Sequence, residues 1–151
     1  MEAKGMERIV FKTSETAELT RIQKKRLEQW DYRGIVKATG VPSAGRGTPR
    51  IYTLKDLIML AIVREFSNQR IPLESLKQPL SILKSKLPNN DELYNIPLKP
   101  YYFAANSNTG IVTDNFEAIQ KKIESGELLY VIDITRLQED IVNDIKEKKL
   151  A

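Results

Sequence analysis

Lys24, Lys25 and Arg26 stand together on the segment QKKRLEQWDYRG, with Gln23 before them and Gln29 one turn later. Side chains of these types donate hydrogen bonds to phosphates and to base edges. An arginine can grip O6 and N7 of guanine together, and a glutamine amide can read adenine. A helix that offers them in one turn is suited to the major groove of duplex DNA. Two further arginines follow in a Gly/Pro-rich stretch, Lys37 to Arg50, with Arg46 at its middle and Arg50 at its end. Those two are placed for phosphates or a minor groove. Tyr52 can set its hydroxyl on a phosphate with its ring buried. The expected DNA-binding set is therefore Gln23, Lys24, Lys25, Arg26, Gln29, Arg46, Arg50 and Tyr52.

The charge distribution agrees. Residues 1–87 carry 17 Lys/Arg against 9 Asp/Glu, whereas residues 88–151 carry 7 against 11. Residues 21–55 alone hold nine basic and two acidic side chains. A basic N-terminal part and an acidic C-terminal part point to two roles in one chain. The 151 residues contain no cysteine and no histidine, which removes disulfides, thiolate and imidazole metal ligands and the usual general base. Neither a nucleophile–base pair nor a phosphate-binding glycine loop nor a metal-ligand cluster is visible, so no catalytic residue, metal or cofactor is assigned. No apolar run approaches the ~20 residues of a membrane span. The opening MEAKGMERIVFK lacks the apolar core of a signal peptide, so a cytoplasmic location is expected.

The elements that must hold these residues follow from periodicity and caps. Arg8 to Lys12 alternates as a short strand, and Thr13 or Ser14 offers a cap for a first helix with Ala17, Leu19 and Ile22 on its apolar side. Gln23 opens a second helix in which Leu27 and Trp30, three apart, share the buried face. Asp31 is expected to pair with a nearby arginine. Gly34 stands where a helix end needs positive φ. Ile35–Val36 and Ile51–Tyr52 can pair as a hairpin, making the loop between them a wing. Thr53 caps a long apolar helix, Pro72 starts another, and Pro79 should kink or shorten it.

From Pro88 the character changes. A Pro/Asn-rich crossing leads to strand-like YYFAA, a turn at SNTG, and a second strand at IVT. Asp114 or Asn115 caps a helix that Gly126 ends. LLYVIDI has the composition of a buried strand, and Thr135 with Gln138 forms a capping box for a last helix striped with Leu137, Ile141 and Ile145. Tyr101 and Tyr102 are either half-buried scaffold or the lining of a ligand pocket. The fold class is α+β: an N-terminal winged helix-turn-helix over residues 1–87, mostly helical, and a small mixed α/β dimerisation or effector unit over residues 88–151.

The segment from about Phe11 to Leu83 resembles the DNA-binding domain of the MerR family of transcription regulators. That family carries Leu-Arg-Tyr-Trp/Tyr-Glu and then Gly-Leu on its second helix, matched here by Leu27, Glu28, Gln29, Trp30 and Asp31, then Gly34 and Ile35. Its wing ends Arg-Arg-Tyr-Thr before a helix with Asp-Leu, matched by Arg50, Ile51, Tyr52, Thr53, Asp56 and Leu57. A later Ser-Leu-Glu-Glu-Ile stands as Pro72, Leu73, Glu74, Ser75 and Leu76. Glu28, Gln29, Arg21 and Ile51 replace the family's arginine, first aromatic, turn glycine and second wing arginine. The contacts of those side chains must be lost or taken over by Lys24, Lys25 and Arg26. The resemblance implies a transcription regulator that binds a palindromic operator as a homodimer, with double-stranded DNA and, at a promoter, RNA polymerase as partners. An excisionase-like, DNA-bending accessory factor is the alternative. A small-molecule effector stays open. The family's usual long dimerisation helix would be broken here by Pro88, Pro97 and Pro100, which leaves the last helix or a sheet edge to make a dimer. The Leu137/Ile141/Ile145 stripe has two uses open to it, a partner copy or its own sheet. In the first use, truncation before Pro88 would leave a folded monomeric module.

Overall fold

Short alternation builds the first strand, β1 (Val10–Lys12), which reads exposed, buried, exposed and runs straight into helix α1 (Thr13–Thr20). The computed structural model describes residues 10–40 and 49–148. The cap of α1 differs from the expected Thr13 or Ser14: Thr13 is already helical, and the Glu15 carboxylate reaches back to accept the Lys12 amide at 2.9 Å. Glutamate three residues into a helix does this well because it is both long enough and favoured by the helix dipole. Arg21 ends α1 in the left-handed region, φ 59° and ψ 39°. A side chain there costs ~1–2 kcal/mol relative to the right-handed conformation. The tight turn that follows brings in helix α2 (Lys24–Tyr32).

Gly34, at φ +75°, closes α2, and the Ile35 amide donates back to the Trp30 carbonyl at 2.8 Å. Ile35 and Val36 then go into the core. The hairpin expected between them and Ile51–Tyr52 does not form. Strand β2 (Ile51–Thr53) pairs instead with β1, antiparallel, Phe11 opposite Tyr52. Both partners of that central pair are fully buried, so apolar burial chose the register. What remains of the expected pairing is one bond, from the Gly40 amide to the Ile51 carbonyl at 2.7 Å. The approach requires glycine, since a Cβ at position 40 would lie 2.6 Å from the Ile51 side chain.

Thr53 and Asp56 cap helix α3 (Leu54–Asn68) reciprocally, Thr53 Oγ1 accepting from the Asp56 amide and Asp56 Oδ2 from the Thr53 amide. This helix is apolar nearly all round and runs through the middle of the core. Pro72 leads into a 3₁₀ turn at Leu73–Leu76, and helix α4 (Lys77–Lys86) starts afresh behind it. Pro79 therefore falls in the first turn of α4, where its missing amide leaves no hydrogen bond unmade.

Strands β3 (Tyr102–Ala105), β4 (Gly110–Thr113) and β5 (Tyr130–Asp133) form an antiparallel sheet in the order β4-β3-β5, with helix α5 (Phe116–Glu124) between β4 and β5 and helix α6 (Ile134–Glu147) last. The strand, strand, helix, strand, helix order is the expected one, and Asn115 caps α5. Three local details differ. β5 is an edge strand with Tyr130 and Val131 exposed, and no buried strand. The cap of α6 is Asp133, whose carboxylate accepts the Arg136 amide. Thr135 and Gln138, expected as a capping box, are used elsewhere: Thr135 Oγ1 accepts the Tyr101 amide, while buried Gln138 accepts the Tyr101 hydroxyl and donates to the Leu93 carbonyl. Longer-range polar groups needed those side chains more than the helix end did.

The stripe on α6 is settled in the same way. Leu137, Ile141 and Ile145 are buried within the chain, and α6 lies against α3 and α1. It makes no free dimer face. The buried residues form one connected cluster that includes Leu57 and Leu83 as well as Phe103, Ile134 and Ile145. Packing thus continues across Pro88.

Candidate nucleic-acid interface

Helix α2 is held from beneath by two residues. Leu27 and Trp30 are buried, while Lys24, Lys25, Arg26, Glu28 and Gln29 are exposed. A nine-residue helix this polar has little stability of its own, so the apolar pair fixes it to the core. The guanidinium of Arg26 lies 5.9 Å from the centroid of the Trp30 ring, a cation–π contact that steadies the arginine without neutralising it. Gln23 caps the helix with its backbone carbonyl, which accepts the Arg26 and Leu27 amides, and its side chain stays exposed. Five of the expected residues, Gln23, Lys24, Lys25, Arg26 and Gln29, therefore share one exposed helix.

Several other cations near the module are spoken for. Arg50 Nε donates to Asp31 Oδ2 at 2.5 Å, and Lys37 approaches the other oxygen of the same carboxylate at 3.6 Å. Asp31 thus has the arginine partner expected of it. Arg33 and Lys77 both bind Glu74, which ties the end of α2 to the 3₁₀ turn before α4 and holds the Glu74 carboxyl below the usual range. Arg64 on α3 donates to the Thr20 carbonyl at 2.7 Å, closing the C-terminus of α1, and to the Glu65 carboxylate at 2.9 Å. Arg46 lies outside the described residues.

Tyr52 requires a correction. Its ring is fully buried opposite Phe11, and among the described residues its hydroxyl has no hydrogen-bond partner. Burial, reinforced by the Asp31 charge, pushes its pKa up to about 12. A phosphate cannot reach that hydroxyl. The same strand position that makes Tyr52 a motif residue points its side chain inward, which is why it packs. Asp56, buried below it, accepts from the Thr39 amide and hydroxyl as well as from Thr53 and so pins the chain leaving Val36. Burial raises its pKa against the pull of those bonds.

Sequence reading passed over one feature here. Arg21, Ile22, Gln23, Arg26, Arg64, Glu65 and Asn68 line a cleft of about 530 Å³ beside the α1–α2 turn. The available signal was the arginine at 21 in place of a turn glycine.

The amino-acid sequence of this region matches a known family model. Residues 11–82 fit that of the MerR HTH family regulatory protein. The N-terminal module is a MerR-type helix-turn-helix domain. The match spans β1 through most of α4, so it contains every element that positions α2. No curated protein matches the chain in a sequence search. The MerR-type domain meets the C-terminal elements through α3 and α4, which pack on α6 and β4. There, Tyr101 is held by Gln138, and Tyr102 stacks edge-on with Phe116 at 5.3 Å, so both rings take part in packing. Among the described residues no helix is long and apolar enough to cross a membrane.

Proposed function

We propose that this chain is a sequence-specific, DNA-binding transcription regulator that works as a homodimer on a palindromic operator in the cytoplasm. The observation that carries the reading is the first turn of α2. There, Lys24, Lys25 and Arg26 project from a helix whose only buried residues are Leu27 and Trp30. Arg26 and Gln29 read base edges, Lys24 and Lys25 take phosphates, and Gln23 lies at the groove entrance. Arg46 and Arg50 approach the backbone from the segment between Gly40 and β2, Arg50 with its charge partly shared with Asp31. Tyr52 acts by holding β2 in the core.

One helix reads too few base pairs for specificity, and this supports a symmetric pair of modules on half-sites one or two helical turns apart. The match to a family of regulatory proteins favours a regulator at promoters, in the reach of RNA polymerase, over an excisionase-like factor. No catalytic step is assigned.

Binding to duplex DNA followed over a salt series, with a footprint on a selected site, tests the reading. We expect log Kd to rise with log salt with a slope of several units, as for about six neutralised phosphates. The footprint should show one palindrome. Salt-independent binding, or no binding to any duplex, overturns the proposal, and tandem direct repeats favour the accessory factor.

A further inference from the structure

Arg21 is an exposed cation at the mouth of the α1–α2 cleft, held in a backbone conformation that a side chain seldom adopts. Among the described residues it has no ion pair or hydrogen bond through its guanidinium. Arg26, which lines the same cleft, lies over the Trp30 ring and has no ion pair among the described residues. The third arginine, Arg64, is fixed by Thr20 and Glu65, and that bond also uses the one carboxylate of the cleft. Gln23 and Asn68 add neutral donors to the lining. An uncommitted Arg21 guanidinium with amide donors in the same lining, and an already occupied carboxylate, make a site for a single anion. On its other side Arg21 borders a second cleft with Asp140, Asp144 and Glu147 of α6. That acidic wall repels an anion and confines it to the α2 side.

We infer that Arg21 clamps one phosphodiester of the DNA backbone at this cleft, anchoring α2 at the edge of the groove in which Arg26 reads base edges. The inference rests on the DNA-binding role proposed above. It also explains why a side chain stands at a turn where glycine would be relaxed: the charge is worth more to binding than the relaxed turn is to folding.

Arg21→Gly separates the two effects, because glycine suits φ 59° and should raise the melting temperature. With a mixed-sequence DNA duplex as probe, we expect affinity at low salt to fall about tenfold and the log–log salt slope to shrink by about one. Arg21→Gln, which keeps length without charge, should match it in affinity and slope and decides the matter if the glycine variant does not fold. If the unmodified protein binds the duplex and both variants bind equally well with the same slope, the clamp is wrong and the regulator reading stands. If the unmodified protein binds no duplex, both fail. Inorganic phosphate at matched ionic strength is the remaining arm: competition that depends on Arg21 at lower concentrations than duplex phosphate would make this a small-anion pocket and overturn the backbone assignment.

Discussion

Helices α2 and α6 are both amphipathic, yet they are anchored in opposite ways. Nine-residue α2 buries Leu27 and Trp30 and leaves its cations in solvent. Fourteen-residue α6 buries Ile134, Leu137, Gln138, Ile141, Val142 and Ile145. On its polar side, Lys148 just beyond its end pairs with Asp144 and with Glu18 of α1. One helix is a shallowly set tool and the other a structural wall. A surface that must meet a polyanion keeps its charges unpaired, because each internal salt bridge would have to be broken or shared on binding. A wall has no such requirement: Asp144 pairs with Lys148, and the apolar stripe is covered.

The largest expected effect tests the wall. Truncation before Pro88 removes α6 and the β3–β5 sheet from a core they share with α3. The fragment should lose its cooperative thermal transition or melt far below the full chain by circular dichroism. In the full chain, Ile145→Ala alone should cost ~2–5 kcal/mol in denaturant unfolding. A fragment that melts as sharply and as high as the full chain would show that α6 is not a wall.

The next effect tests the tool. Arg26→Ala should lose ~1–3 kcal/mol of binding to the selected site, with a smaller loss on mixed sequence. Its folding cost should stay under ~1 kcal/mol, the worth of an exposed cation–π contact. Isothermal titration and a thermal melt on one sample separate these. Equal losses on both DNAs would move Arg26 from base reading to backbone contact.

The smallest effect tests the correction at Tyr52. Tyr52→Phe should leave DNA affinity unchanged and either preserve stability or raise it by up to ~1 kcal/mol, since the hydroxyl is buried without a partner among the described residues. The pKa values of Tyr52 and Tyr101 are both pushed up to about 12, mainly by burial, so the fold favours their neutral forms. Their contribution is whole below pH 10, where an unfolded tyrosine would begin to ionise, and is lost as pH rises towards 12. Alkaline unfolding monitored by tyrosinate absorbance should therefore begin later in Tyr52→Phe. A variant that binds DNA more weakly would return the hydroxyl to the interface.

The legible part of the fold was its local chemistry. Gly34 at a helix end, Thr53 at a helix start, Leu27 and Trp30 at helical spacing, and the order of the C-terminal elements could be read because each depends on residues within a turn of one another. The exposed cations of α2 were legible for the same reason. Reading failed where a side chain had two possible partners. Thr135 and Gln138 suit a capping box, but the backbone of Tyr101 and Leu93 claimed them. Ile51 suited Ile35 but pairs with Lys12, and the stripe on α6, which fitted a second copy or its own sheet, packs on α3 and α1.

By itself, then, the sequence determined the helix-turn-helix module, its cationic helix and the absence of cysteine and histidine chemistry, since composition, spacing and caps act over short range. Tertiary structure alone decided that β1 takes β2, that Tyr52 turns inward, that α6 belongs to the core, and that Arg21 lines a cleft with Arg26. Those outcomes depend on which of several chemically acceptable partners lies nearest once the chain is packed, and that choice is made by burial over the whole core.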